Sequence, residues 1–309
     1  MRVTQGMLTN NMLRNMSKSY ESMGKYQEQF STGKKISRPS DDPVVAMKGI
    51  DYRSELTKVE QFERNIGEVY NWMDSSDAAL DESTKALQRV RELTVQGSSD
   101  TLGDQERESI AKEVRQISDH LKDLANTEVN GKYLFNGTDT TNAPASTGGD
   151  GEVTFDADES SVNIEISKGV TVKSNVNGNN VFGDIDVETE EDGTVQKNVF
   201  ETLGDLADTL EGKEIDQPRE LDSFLSEVDG HVNKVIDERA DLGARMNRRD
   251  MVEDRLAVQK EITTKMMSDN EDAEMEEVIT NLKTQESIHR AALSAGARII
   301  QPTLMDFLR

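Results

Sequence analysis

The residues best equipped for chemistry are few. His120, His231 and His289 are the only imidazoles, and each falls on a different predicted helix without a second ligand at metal-binding spacing. Cysteine is absent, which removes thiolate nucleophiles, thiolate metal ligands and disulfides together. Ser22-Met-Gly-Lys25 and Ser31-Thr-Gly-Lys34 fit the Ser-x-x-Lys pattern of some acyl-enzymes, but neither has the strand or partner motifs that activate such a serine. No Gly-Lys pair carries the upstream glycine of a phosphate loop. The acidic runs 188–192 and 269–277 lack the glycine-pivoted spacing of a calcium loop and read as solvated loops. Asn15-Met-Ser17 and Asn136-Gly-Thr138 fit the glycosylation acceptor pattern, which means little without a secretory signal. No acid, base and nucleophile converge, so no catalytic residue, metal or cofactor is assigned, and the chain does not read as an enzyme.

What the spacing does offer is packing. Met12, Met16, Ser19, Met23, Tyr26 and Phe30 step by 4, 3, 4, 3 and 4, the rhythm of a helix with a narrow apolar seam. Ile288, Ala292, Ala295 and Ile299 step by 4, 3 and 4, with Ile300, Leu304 and Leu308 as a neighbouring row and Phe307 beside its end. The first and last helices are therefore expected to pair and bracket everything between them. Met12, Met16, Met23, Tyr26, Phe30, Ile288, Ala292, Ala295, Ile299, Leu304, Phe307 and Leu308 are the candidate assembly residues. Methionine suits an interface that must fit several partners. A single thin seam is a poor return for ordering two long segments, so both are expected to become rigid against neighbouring subunits.

The bulk numbers agree with thin seams. The chain has 309 residues, 34% hydrophobic and 5% aromatic, which is lean for a thick core. Its net charge of −24 argues against nucleic acid, which clustered Lys and Arg would have to bind. No apolar run reaches the ~18 residues of a membrane span, and no secretory signal pattern opens the sequence.

Taken in order, residues 1–33 form the first seam helix, and Pro39 and Pro43 break the run from Gly33 onward. Asp42 is placed to cap a new helix, with Pro43 at its first position. Leu56, Val59, Phe62, Ile66, Val69 and Trp72, continued by Leu80, Leu87, Val90 and Leu93, predict a helix of about fifty residues, roughly 75 Å long. Ile110, Val114, Ile117, Leu121 and Leu124 predict a shorter helix running back along it. Residues 131–193 hold nine of the 21 glycines, and their apolar side chains alternate. Val162, Ile164 and Ile166 before Ser167-Lys168-Gly169, then Val170 and Val172, predict a hairpin; Val153 to Phe155 and Val181-Phe182 are further strand candidates. Helical spacing returns at 199–210. Leu221, Leu225, Val228, Val232 and Val235 open a third long helix. The expected fold is mainly α, an elongated bundle or coiled coil built from both chain ends with a small β-rich insert. Its parts are 1–42 and 269–309 (terminal coiled coil), 43–135 and 198–268 (helical core) and 136–197 (insert).

Three stretches resemble a known family. Leu87-Gln-Arg-Val-Arg-Glu-Leu-Thr-Val-Gln96, Arg239-Ala-Asp-Leu-Gly-Ala-Arg-Met-Asn-Arg248 and Gln301-Pro-Thr-Leu-Met-Asp-Phe-Leu-Arg309 are similar, in that order, to bacterial flagellins. Met1-Arg-Val-Thr-Gln-Gly-Met7, Arg38-Pro-Ser-Asp-Asp-Pro43 and Gly131-Lys-Tyr-Leu-Phe-Asn-Gly137 resemble the branch of that family that joins hook to filament. The resemblance covers about 1–135 and 198–309. It implies a secreted structural subunit, exported unfolded by the flagellar type III system with an export chaperone at its C-terminal region. Its implied partners are hook-associated protein 1, flagellin and a ring of its own copies, with no nucleic acid and no membrane insertion; a flagellin filament subunit is the alternative. Arg89, Leu93, Arg245 and Asn247, on the two matching helices, are implied core subunit contacts.

Overall fold

The computed structural model describes residues 5–99, 102–148, 152–189, 193–213 and 221–300. Its elements are α1 (Gln5–Thr32), α2 (Pro43–Gly97), α3 (Asp104–Ala125), β1 (Glu128–Val129), β2 (Lys132–Tyr133), β3 (Ala145–Thr147), β4 (Val153–Phe155), β5 (Asn163–Ser167), β6 (Val170–Lys173), α4 (Gly178–Val181), β7 (Ile185–Thr189), β8 (Gly193–Lys197), α5 (Val199–Leu210), α6 (Leu221–Glu271) and α7 (Met275–Ile300). The expected class holds: long helices, with short strands confined to the middle. The chain divides into two compact units, Met1–Val59 with Ala257–Arg309, and Glu60–Leu256.

In the first unit, α1 lies along α7 and the start of α2 lies beside the end of α6. The start of α2 is set by Asp42, whose Oδ1 accepts hydrogen bonds from the Val44 and Val45 amides at 3.0 and 3.1 Å. Replacing Asp42 with alanine is expected to cost about 1 kcal/mol, read as a shift in the urea midpoint, because two amides at the open helix end lose their acceptor.

In the second unit, the apolar faces of α2, α3, α5 and α6 form the helical core around Leu80, Leu87, Val114, Leu121, Leu206 and Val235, all buried. Beside the helices, the described residues form four separate two-stranded antiparallel sheets. β5 and β6 turn at Ser167–Val170, as the alternation predicts, with a register irregularity between Glu165 and Ser167. Val181 and Phe182 differ from expectation. They close a single helical turn capped by Asn177, because Phe182 has to reach inward to the rings of Phe135 and Phe200. A strand there would alternate Val181 and Phe182 to opposite faces, whereas both are buried.

The phase of α2 in this unit is also instructive. The main buried row is Ile66, Val69, Met73, Ser76, Leu80, Ser83, Leu87, Val90 and Thr94, a continuous 3-4 repeat, with Ala79, Thr84, Leu93 and Gly97 also buried beside it; Trp72 stands half-buried one position off it. Three positions of the main row carry hydroxyls. Ser76, Ser83 and Thr94 each donate to the carbonyl four residues earlier, at 2.8, 2.8 and 2.9 Å, so polar groups enter the seam already satisfied.

Candidate assembly surface

Within the first unit, the predicted pairing of first and last helices is present. On α1 the inward row is Met12, Met16, Ser19, Met23 and Tyr26, as the spacing predicts, with Phe30 more exposed at its end. On α7 the inward row is Val278, Leu282, Gln285, His289, Ala292 and Gly296. Contacts fix the pairing at three places. The Ser19 hydroxyl donates to Gln285 Oε1 at 3.4 Å, the Tyr20 and His289 rings lie 6.0 Å apart, and Met12 sits where a side chain on Gly296 would begin.

That phase corrects the expectation for α7. Of Ile288, Ala292 and Ala295, only Ala292 lies in the row against α1. Ile288 is 49% exposed, and Ala295 and Leu293 also face outward. Two rows overlap on this helix and share Ala292. The purely apolar row is the more conspicuous in the sequence, but the row that packs carries Gln285 and His289, which the hydroxyl of Ser19 and the ring of Tyr20 accommodate. His289 leaves its buried Nδ1 without a partner among the described residues. Small residues Ala292 and Gly296 let the helices approach and seat Met12. The side chain of Ile299, and residues Leu304, Phe307 and Leu308, lie outside the described residues.

A second set of contacts ties the helix ends of this unit. Lys34 bridges to Asp272 across two short extended segments, the Lys35 amide donates to the Glu271 carbonyl at 2.6 Å, and the Ala273 amide donates to the Gly33 carbonyl at 2.9 Å. Glu271 is buried and lies against Gly49, where any added Cβ would overlap its Oε1. Arg53 reaches the same carboxylate at 2.7 Å and Lys34 at 3.6 Å, so the buried charge is neutralised from two sides. The hydrogen bond from Lys34, with that from Ser268, holds the Asp272 carboxyl below the usual range, and the Lys34 ammonium is held above its own.

In the second unit, Leu93 lies in the interior and Arg245 donates to the carbonyls of Lys173 and Asn175 at 3.4 and 2.9 Å and to Glu238 at 2.9 Å. Both are internal ties. Arg89, paired with Glu113 at 2.9 Å, and Asn247 are exposed. Sequence reasoning missed Arg239, which joins Asp77 at 2.8 Å and Asp81 at 2.6 Å and so cross-links α6 to α2. The three histidines are separate: His120 faces Glu82 at 3.2 Å, His231 is buried beside Thr202, and His289 is in the α1–α7 seam. Asn136 is buried, its amide donating to the Asn142 carbonyl and its oxygen accepting from the Asp158 amide. Among the described residues no group of three acidic, histidine or cysteine side chains is arranged to hold a metal ion. No described helix is long and apolar enough to cross a membrane.

Helices from the two extremes of the sequence pair with each other, and the described strands, all in two-stranded sheets, fall in the sequence between them. Residues 3–140 match the bacterial flagellin N-terminal helical region and residues 225–308 match the bacterial flagellin C-terminal helical region. The chain belongs to the bacterial flagellin family. More particularly, it is similar to flagellar hook-associated protein 3 of Escherichia coli K12, 26% identical over 307 residues and 96% of each chain. It is also 25% identical to the flagellin of Bacillus subtilis 168 over the whole of both chains. Its fold matches the crystal structure of flagellar hook associated protein-3 from Legionella pneumophila with a TM-score of 0.62 at 15% identity, over 71% of this chain and 97% of that one.

Proposed function

We propose that this chain is the junction subunit that seats a flagellin filament on the flagellar hook, a structural part of the bacterial flagellum. The observation that carries the proposal is the end-to-end likeness to hook-associated protein 3, 96% of each chain, which spans the insert as well as both helical regions. In this reading a ring of copies lies between hook-associated protein 1 and the first flagellin layer. Each copy reaches that place unfolded through the flagellar export channel, accompanied by a chaperone that holds the C-terminal region. The outward row on α7, with Ile288 and Ala295, together with Ile299, Leu304, Phe307 and Leu308, meets the neighbouring subunits. Arg89 and Asn247 extend the contact surface along the helical core.

The test is a strain whose only copy lacks residues 288–309. Such cells are expected to carry hooks without attached filaments and to release flagellin monomers into the medium, while Trp72 fluorescence shows the purified remainder still folded. Normal filaments on those cells would overturn the proposal. The full-length match to Bacillus subtilis flagellin favours a second reading, a filament subunit. Concentrated protein that grows filaments from a seed would decide for that reading.

A further inference from the structure

Asparagine followed by glycine readily loses its side-chain amide, because glycine has no side chain to hinder attack by its backbone nitrogen. The chain holds three such pairs, Asn130-Gly131, Asn136-Gly137 and Asn177-Gly178, all in the unit Glu60–Leu256. The reaction needs an asparagine Cγ that can turn, a glycine nitrogen open to attack it, and room for the ring they form. The fold withdraws these from two pairs and leaves them to one.

Asn136 is buried and its amide is held at both ends, donating to the Asn142 carbonyl at 3.0 Å and accepting from the Asp158 amide at 2.7 Å. Gly137 presses so closely on the Asp158 backbone that even a Cβ would overlap it. At the second pair, the Asn177 oxygen accepts from the Asn179 amide at 3.0 Å and so caps α4. The Gly178 amide donates to the Phe135 carbonyl at 3.2 Å, so the attacking nitrogen is engaged. A Cβ there would also meet the Phe135 carbonyl and the Phe155 ring.

Asn130 and Gly131 differ on every count. They form the two-residue turn between β1 and β2, at φ 54° and 73°, and both are exposed. Neither the Asn130 side chain nor the Gly131 amide has a hydrogen-bond partner among the described residues. A Cβ on Gly131 would meet nothing within 4 Å. The peptide plane between the two must rotate out of the turn before the nitrogen faces Cγ, and little resists that rotation. β1 and β2 have two residues each and pair only with each other. The bonds that anchor them lie at the base, from the Leu134 amide to the Thr127 carbonyl and from the Tyr133 amide to the Thr140 carbonyl, both at 3.0 Å. A tip held so lightly opens at low cost.

We propose that Asn130 is a site of spontaneous deamidation, converted to aspartate and isoaspartate while Asn136 and Asn177 keep their amides. The Gly131 nitrogen bonds to Asn130 Cγ, the Cγ–Nδ2 bond breaks, and the proton from the nitrogen leaves with Nδ2 as ammonia. Water then opens the five-membered imide, and the Gly131 nitrogen regains a proton. Addition of water at Cγ gives aspartate. Addition at the Asn130 backbone carbonyl gives isoaspartate, whose main chain is one methylene longer. A two-residue turn has no slack for that methylene, so isoaspartate breaks the Val129–Lys132 pairing. Either product adds a carboxylate to an acidic unit that already holds 45 acidic residues against 20 basic, so the modified chain binds an anion exchanger more tightly.

The experiment ages the full chain for weeks in warm, mildly alkaline buffer, folded and in guanidinium chloride, and follows each Asn-Gly peptide by mass. Methyl transfer from S-adenosylmethionine by an isoaspartate methyltransferase is the second readout. In the folded chain Asn130 is expected to gain one mass unit at least about tenfold faster than Asn136 or Asn177, and in denaturant the three rates should converge. Asn130→Gly keeps a residue suited to positive φ and removes the amide, so the aged folded variant should accept almost no methyl groups. Equal rates at the three sites of the folded chain, or earlier loss at Asn136 or Asn177, would overturn the proposal. So would an Asn130 that reacts in denaturant but keeps its amide in the folded chain, or undiminished methylation of aged Asn130→Gly.

Discussion

Replacing Phe182 with alanine should destabilise the acidic unit by about 3–5 kcal/mol, the range found when a fully enclosed aromatic ring is cut away and its site cannot collapse. Phe182 is wholly buried at the centre of an aromatic cluster. It meets Phe135 edge-on with ring centroids 5.5 Å apart, Phe155 at 5.8 Å and Phe200 nearly stacked at 6.1 Å. These four rings come from the loop after β2, from β4, from the end of α4 and from α5, so one side chain ties its own segment to a helix and to two segments of short hairpins. An isolated two-stranded hairpin is marginal in water, and these hairpins depend on what they pack against. Trp72, the only tryptophan, lies in the same unit and reports its unfolding in urea. A loss below about 1 kcal/mol would show that the insert is held by its loop hydrogen bonds and not by the rings.

The second large effect is a dependence on acid. His231 is buried in α6, its Nε2 within hydrogen-bonding distance of the Thr202 hydroxyl at 3.2 Å and its Nδ1 without a partner among the described residues. Burial, reinforced by the charge of Lys234, pushes its pKa from 6.5 down to about 3. The unfolded chain binds a proton on this imidazole more readily than the folded one. The histidine therefore costs nothing above pH 6.5 and costs stability progressively as pH falls from 6.5 towards 3. The slope is about 1.4 kcal/mol per pH unit inside that window. His231→Gln keeps a polar partner for Thr202 but has no proton to gain. Between pH 7 and pH 4.5 the wild type should lose about 3 kcal/mol more than the variant in urea unfolding followed by Trp72, the carboxylates common to both cancelling in the comparison. Parallel pH profiles would mean that the imidazole is solvated before the unit opens.

The elements were legible wherever one physical signal dominated. Asp42-Pro43 fixed the start of α2 because a carboxylate acceptor followed by a residue without an amide proton suits one position in a helix. The alternation through Ile164 and Ile166 located β5, and β6 followed from the turn. What the sequence hid was phase. In α2 a seam containing Ser76, Ser83 and Thr94 does not look apolar, since nothing in residue type shows that each hydroxyl is already bonded to its own helix. In α7 the apolar row through Ile288 outshone the packing row through Gln285 and His289, which meet Ser19 and Tyr20 only across a contact between distant parts of the chain. An apolar strip at the start of α2 escaped notice for the opposite reason. Val44, Met47 and Ile50 look like a helix core, and only their exposure shows that none of the described residues covers them. The ion pairs of Arg239 and the burial of Glu271 against Gly49 likewise depend on neighbours far away in sequence.

The seam between α1 and α7 joins residues as far apart as Ser19 and Gln285, a separation of 266 positions. Closing a loop of that length is entropically unfavourable and comes late, after nearer contacts have formed. A polypeptide that arrives at its destination one end first cannot make this contact until nearly all of it has been delivered. In the export reading proposed above, the methionine row of α1 therefore stays open to other helices until α7 arrives, and zipping the two together is the last step of assembly.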